Sequence, residues 1–549
     1  MTYPHFPGGP GPHDQRRSRR RLYGSAAALL LLGGAAGAGY HFLLADRGAR
    51  DPQVAAATAR FERFAGAWED GAARKAAAYT DSPDAARSLL TSVMTNLAPS
   101  ATEITPGEGE KERDGEVRLP FTVAMEVPGA GPVRWNTQAR LRQTAGRWTV
   151  EFTTPTVHPK MKSGQTLALK SRTTRAKVLD RNGDPLEAAS LVGTVDEATG
   201  KGTSGLEARY DARLSGGKGP KKSLVIVDRE SGRAVRSLTA VKPAKGRPVR
   251  TTVDPRVQRA AAEALSGVRK KAAIVAVDPR NGHILAAANK PGGLNRALAG
   301  RYPPGSTFKV VTAAALLKSG MRPSDPAACP KYARVDGQRF ENQDLFTLPD
   351  GATFQDAFAR SCNTFFVDSR DRLSATSLRD AARAFGIGGS WDAGVTTYDG
   401  SVPADTSDND KAAAAIGQAR VQASPLVMAS IAATVKNGSF EQPVLVPEAV
   451  KKKYRAPEQL EAEVVGDLRK MMRATVTAGS GHALKDLPGE PHAKTGTAEF
   501  GTADPPHTHA WMIGYQGGSD LAWAVFLEDG GSGGADAGPV AARFLKNIG

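Results

Sequence analysis

The chain has 549 residues and a formal net charge of +17, from 73 Lys and Arg against 56 Asp and Glu. That length exceeds what one hydrophobic core supports and predicts about three or four domains. Much of the charge is local, because Arg16, Arg17, Arg19, Arg20 and Arg21 crowd ahead of an apolar run, so the charge does not point to a nucleic-acid partner.

That run, Leu22 to Ala45, carries no formal charge. At about 1.5 Å per residue it reaches roughly 36 Å, enough to span a hydrocarbon core of about 30 Å. The expectation is an uncleaved signal anchor at 22–45 behind a basic cytoplasmic tail at 1–21, with the remainder outside the cell membrane. Small residues around Ala35 to Ala38 leave a cleaved signal peptide as the rival. Gly33 and Gly37 form a GxxxG pair, a weak dimerisation signal.

In "VAAATARFERFAGAWEDG", Phe61, Phe64 and Trp68 fall at helical spacing. Val117, Leu119, Phe121, Val123, Met125 and Val127 then alternate as in a half-buried strand. A turn at "PGAG" leads into Val133, Trp135, Thr137, Ala139 and Leu141, and a third strand carries Trp148, Val150 and Phe152. Helices followed by an antiparallel meander define an α+β domain at 50–158. Residues 159–250 turn basic and Gly/Pro-rich with short strands, predicting a linker or dimerisation-type pedestal module. The domain at 251–549 opens on a hairpin, "AAIVAVDPRNGHILAAAN", continues through a helical block and ends on strands Ala510 to Tyr515 and Leu521 to Leu527 plus a helix. Strands from both ends with a helical insertion predict an α/β domain with an antiparallel sheet and a helical subdomain.

In that domain "RYPPGSTFK" places Ser306 at the start of an apolar helix with Lys309 one turn on. Ser306 is a helix cap on the bland reading. On the chemical reading it is a nucleophile whose proton Lys309 takes, since burial and nearby positive charge depress a lysine's pKa. S-x-x-K alone is weak, and Ser215 to Lys218 matches it in a glycine loop. The ordered set decides: "SCN" at Ser361, Cys362 and Asn363, then "KTG" at Lys494, Thr495 and Gly496, followed by Thr497. Ser407, Asp408 and Asn409 spell a second S-x-N, but in a polar stretch that reads as a solvated loop or helix cap.

With all three motifs in order, the chain resembles the class B, single-activity penicillin-binding proteins, which are peptidoglycan D,D-transpeptidases. "RAKVLDRNG", Arg175 to Gly183, is similar to the opening of that family's non-catalytic module, with Ala176 in place of a glycine. The domain at 50–158 resembles the cystatin-like N-terminal domain of the methicillin-resistance transpeptidase. The resemblance implies that Ser306 attacks a peptide ending in D-Ala-D-Ala with Lys309 as base. It implies that Ser361 and Lys494 relay a proton to the departing D-alanine and that Asn363 fixes Lys309 and the substrate amide. Thr495, Gly496 and Thr497 would bind substrate, with the oxyanion between the N–H groups of Ser306 and Thr497. It also implies acylation by β-lactams, no cofactor, and a glycan polymerase or division protein as a candidate partner. "AIGQAR" matches a family turn, with Ala419 in place of glycine.

A D,D-carboxypeptidase would use the same residues with water as acceptor, and stays open. A serine β-lactamase would need a carboxylate to activate a deacylating water, and no E-x-x-L-N-type element lies between "SCN" and "KTG". His507 and His509 on alternate strand positions supply no third ligand, so no metal is expected. Two cysteines occur, Cys329 and Cys362. An extracellular address permits a disulfide, with two buried free thiols as the default expectation.

Overall fold

The computed structural model describes residues 51–171, 175–197, 200–216, 222–239, 245–503 and 505–549. The basic tail at 1–21 and the anchor expected at 22–45 lie outside the described residues, and no described helix is long and apolar enough to cross a membrane. The chain divides into two compact units. One comprises residues up to Lys170 together with Leu224–Thr239, and the other Ser171–Ser223 together with Ala240–Gly549.

The first unit begins with helix α1 (Pro52–Glu69), started by Pro52 and by the Asp51 carboxylate accepting the Gln53 N–H at 2.8 Å. Phe61, Phe64 and Trp68 are buried along one stripe, as their spacing requires. Helix α2 (Pro83–Leu97) follows, then strands β1 (Ala101–Pro106), β2 (Glu110–Arg113), β3 (Glu116–Val127), β4 (Gly131–Thr144) and β5 (Arg147–Glu151). All pair antiparallel, in the order β1-β3-β4-β5 with β2 on β3. The alternating apolar residues of β3 and β4 face the helices and form the core.

The stretch 159–250, expected as a separate pedestal module, is divided between the two units. Strands β6 (Gln165–Ser171), β7 (Lys222–Asp228) and β8 (Ala234–Ser237) form a sheet of their own, and Leu224 and Ile226 bury their side chains in the core of the first unit. Burial of that apolar pair, invisible to composition, decides where the segment belongs. Residues 175–216 and 245–250 fold with the second unit. There Ala176 avoids positive φ, and Asp180 is buried, accepting the N–H groups of Asn182, Gly183 and Asp184 in a tight turn.

The second unit is built on one antiparallel sheet: β9 (Lys271–Val277), β10 (Ile284–Lys290), β13 (Pro491–Phe500), β14 (His507–Gln516) and β15 (Ala522–Glu528), ordered β10-β9-β15-β14-β13. Strands from both ends of the segment thus lie side by side, as the hydrophobic pattern predicts. The intervening hairpin β11 (Tyr332–Val335) and β12 (Gln338–Glu341) stands apart from that sheet. Ala272, Ile274 and Ala276 face helix α3 (Pro255–Ser266) and the C-terminal helix Gly538–Ile548, while Ala273, Val275 and Val277 face the helical block. That block supplies helices α4 (Lys309–Lys318), α5 (Phe354–Ala359), α6 (Asn363–Asp368), α7 (Asp408–Ala415) and α8 (Pro425–Asn437).

Candidate active site

Ser306 sits in a single 3₁₀ turn, Gly305–Phe308, that runs directly into α4. The turn is pressed against β13 so closely that glycine is required at two points. A Cβ on Gly305, whose φ is +53°, would meet the Thr497 carbonyl oxygen at 2.5 Å, and one on Gly496 would meet the Thr307 nitrogen at 2.8 Å. The Gly305 N–H donates to the Gly417 carbonyl at 2.9 Å, and the Trp511 indole donates to the Pro303 carbonyl at 3.1 Å, fixing the turn from two further sides.

Helix α5 ends at Arg360, and Ser361 follows in the left-handed conformation, φ +64°. This turn reverses the chain so that Cys362 caps α6 and Asn363 opens it. The Lys309 ammonium is completely buried and donates to the Ser361 carbonyl at 2.8 Å and to Asn363 Oδ1 at 2.6 Å, with Ser361 Oγ at 3.5 Å. The Ser306 hydroxyl donates to the same Asn363 Oδ1 at 3.4 Å, so nucleophile and lysine meet on one carboxamide oxygen. From β13 the equally buried Lys494 donates to Ser361 Oγ at 2.8 Å and to the Thr495 carbonyl at 3.0 Å.

Two lysines therefore share a dry site with no ion-pair partner among the described residues. Burial and the neighbouring Lys494 charge hold the Lys309 amine well below the ordinary lysine value, and burial brings Lys494 down to about 7. Both amines are thereby held in the neutral, proton-accepting form more readily than an exposed lysine.

All eight residues singled out from the three motifs come together. Thr497 Oγ1 donates to the Gln343 side chain at 3.2 Å and accepts the Gly533 N–H at the same distance. Thr495 is only 5% exposed, and its hydroxyl bonds to the Ser480 hydroxyl, which in turn donates to the Ala359 carbonyl at 3.2 Å. Ser480, which couples the end of α5 to β13, carries no signal in "TAGSGH" that marks it beforehand.

The alternative motif stands elsewhere: Ser407 is the N-cap of α7, accepting the Asp410 N–H at 3.1 Å. Ser215 closes a short helix, and Lys218 lies outside the described residues. His507 pairs with Asp529 at 3.0 Å, and His509 is buried against the Phe500 ring. The expectation of two free thiols is corrected, because Cys329 and Cys362 form a disulfide. They are brought together because Cys362 turns inward as the α6 cap, beside the loop that carries Cys329.

The penicillin-binding protein transpeptidase domain model matches residues 272–548, and the NTF2-like N-terminal transpeptidase domain model matches 56–165. The chain belongs to the penicillin-binding transpeptidase family. The matched N-terminal domain is described as NTF2-like, which replaces the cystatin-like label. Among its relatives is the peptidoglycan D,D-transpeptidase PbpA of Mycolicibacterium smegmatis, 31% identical over 62% of this chain and 78% of the relative. PbpA of Mycobacterium tuberculosis is 30% identical over 57% of this chain and 75% of the relative. The ceftriaxone acyl-enzyme complex of M. tuberculosis penicillin-binding protein A superposes with a TM-score of 0.58 and 25% identity, over 69% of this chain and 98% of that one.

Proposed function

We propose that this penicillin-binding protein is a serine D,D-transpeptidase that cross-links peptidoglycan stem peptides ending in D-Ala-D-Ala and is acylated by β-lactams. The observation that carries the reading is the convergence of Ser306, Lys309 and Ser361 on one another through Asn363 and Lys494. Ser306 Oγ attacks the carbonyl carbon of the penultimate D-alanine, and its proton passes to the neutral Lys309 amine. The N–H groups of Ser306 and Thr497 hold the oxyanion. The placement of Ser306 in the first turn, where N–H groups lack helical partners, and the close approach of Gly305 to Thr497 support this. The C–N bond then breaks. The departing D-alanine amine takes its proton from Ser361, which is replenished from the lysines that flank it. An acceptor amine next attacks the ester carbonyl, and Ser306 Oγ leaves with a returned proton.

The uncharged run Leu22 to Ala45 behind its five arginines supports a single-pass anchor with the N-terminus in the cytoplasm and both folded units outside. N-terminal sequencing of the mature protein that begins at or before Arg21 is the expected result, and a start after Ala38 overturns it. For the chemistry, intact mass spectrometry after penicillin treatment is expected to find one adduct per chain, on the peptide containing Ser306. Ser306→Ala is expected to abolish the adduct while leaving the protein folded; an adduct persisting in that variant overturns the assignment. Product analysis with an amine acceptor separates cross-linking from simple hydrolysis.

A further inference from the structure

We infer that Asn342, outside all three motifs, is a positioning residue for acylation: its carboxamide holds the start of α6, and through Asn363 it sets where Lys309 and Ser306 meet. The inference rests on the reading of Ser306 and Lys309 as nucleophile and base.

Asn342 follows β12 and is 1% exposed. Its Oδ1 accepts the backbone N–H of Asn363 at 2.8 Å and that of Thr364 at 3.2 Å, two of the donors that a helix start leaves without helical partners. Its Nδ2 donates to the carbonyls of Pro330 and Phe346, both at 2.9 Å, so the carboxamide is used at both ends and has one orientation. The neighbouring Glu341 carbonyl accepts the Asn363 side-chain N–H at 2.8 Å. That bond forces Asn363 Oδ1 to face the other way, toward Lys309 Nζ and Ser306 Oγ. The disulfide at Cys362 ties the same three-residue segment to Cys329. Ser361, immediately before this segment, holds a left-handed backbone.

The groups facing the Lys309 ammonium are the Lys494 ammonium from β13, the Ser361 carbonyl and hydroxyl, the Asn363 carboxamide and the Phe366 ring of α6 at 5.2 Å. The nearby Glu341 carboxylate is engaged with Arg339 at 3.2 Å.

The test resolves acylation by a fluorescent penicillin into its non-covalent dissociation constant and its acylation rate constant, across pH. Wild type must first form the Ser306 adduct; its absence would refute the catalytic reading and not this inference alone. Asn342→Ala is expected to slow the acylation step by about 10- to 100-fold with the dissociation constant unchanged, the scale of a misplaced reacting group. Asn342→Asp keeps the acceptor for both N–H groups. It loses the Nδ2 donor to the Pro330 and Phe346 carbonyls, so it is expected to recover the rate only in part, to between Asn342→Ala and wild type. A wild-type acylation rate constant in Asn342→Ala overturns the inference. So does an Asp variant as slow as the Ala variant at every pH. If Asn342→Ala fails to fold, the Asp variant decides alone: a wild-type acylation rate constant despite the lost Nδ2 donors refutes positioning.

Discussion

Lys494 Nζ lies 2.8 Å from Ser361 Oγ, while Lys309 Nζ stands 3.5 Å from that same oxygen. One hydroxyl thus lies between two buried amines, and the protonation of each bears on the other.

The first prediction follows from that coupling. Acylation needs Lys309 neutral, so its rate rises with pH through the Lys309 pKa. The Lys494 charge is the second cause, after burial, of that depressed value. Lys494→Ala is therefore expected to move the acid limb of acylation to higher pH, in addition to lowering the plateau. A limb that stays in place shows that the two amines are not coupled.

Second, Asn363→Ala removes the oxygen shared by Ser306 and Lys309, and Ser361→Ala removes the proton relay. Each is expected to lower acylation by about 10²- to 10⁴-fold, the range for lost general acid–base function. Ser407→Ala is expected to acylate normally but to lose about 1 kcal/mol of stability as a lost helix cap. Stopped-flow labelling and denaturant unfolding on the same three variants separate the two motifs.

Third, the intact mass of the purified, non-reduced chain is expected to be two hydrogens below that of the reduced chain, with no thiol available to alkylation. The bridge closes a sequence separation of 33 residues. Replacing both cysteines by serine is expected to cost about 2–4 kcal/mol, measured as a lowered denaturant midpoint. Free thiols in the purified, non-reduced chain would refute the pairing.

Fourth, Ala419 occupies a left-handed conformation, φ +55°, which glycine adopts without a steric cost. A Cβ there costs about 1–2 kcal/mol, partly offset by the greater unfolded-state freedom of glycine. Ala419→Gly is expected to raise the melting temperature slightly and to leave acylation unchanged. A lower melting temperature contradicts the strain argument.

The three motifs were legible because each is short, ordered along the chain and set in an apolar segment whose period identifies a helix or a strand. The alternation of β3 and β4 and the buried stripe of α1 were legible for the same local reason. What the sequence hid is tertiary. Nothing near Leu224 and Ile226 announces that they complete the first unit's core. Cys329 and Cys362 meet only because α6 begins beside the loop carrying Cys329. Asn342 and Ser480 act through bonds to main-chain atoms of distant segments, which leave no local pattern. The Thr495 hydroxyl bonds to Ser480, a partner 15 residues away that the K-T-G motif does not announce.

The close approach of Gly305 and Gly496 to backbone atoms on the opposite side has a consequence for how this site can vary. The nucleophile is located by main chain pressed on main chain, at distances that leave no room for a methyl group. A side chain added at either point displaces Ser306 itself, so variation that keeps the nucleophile in place is confined to positions that already carry side chains.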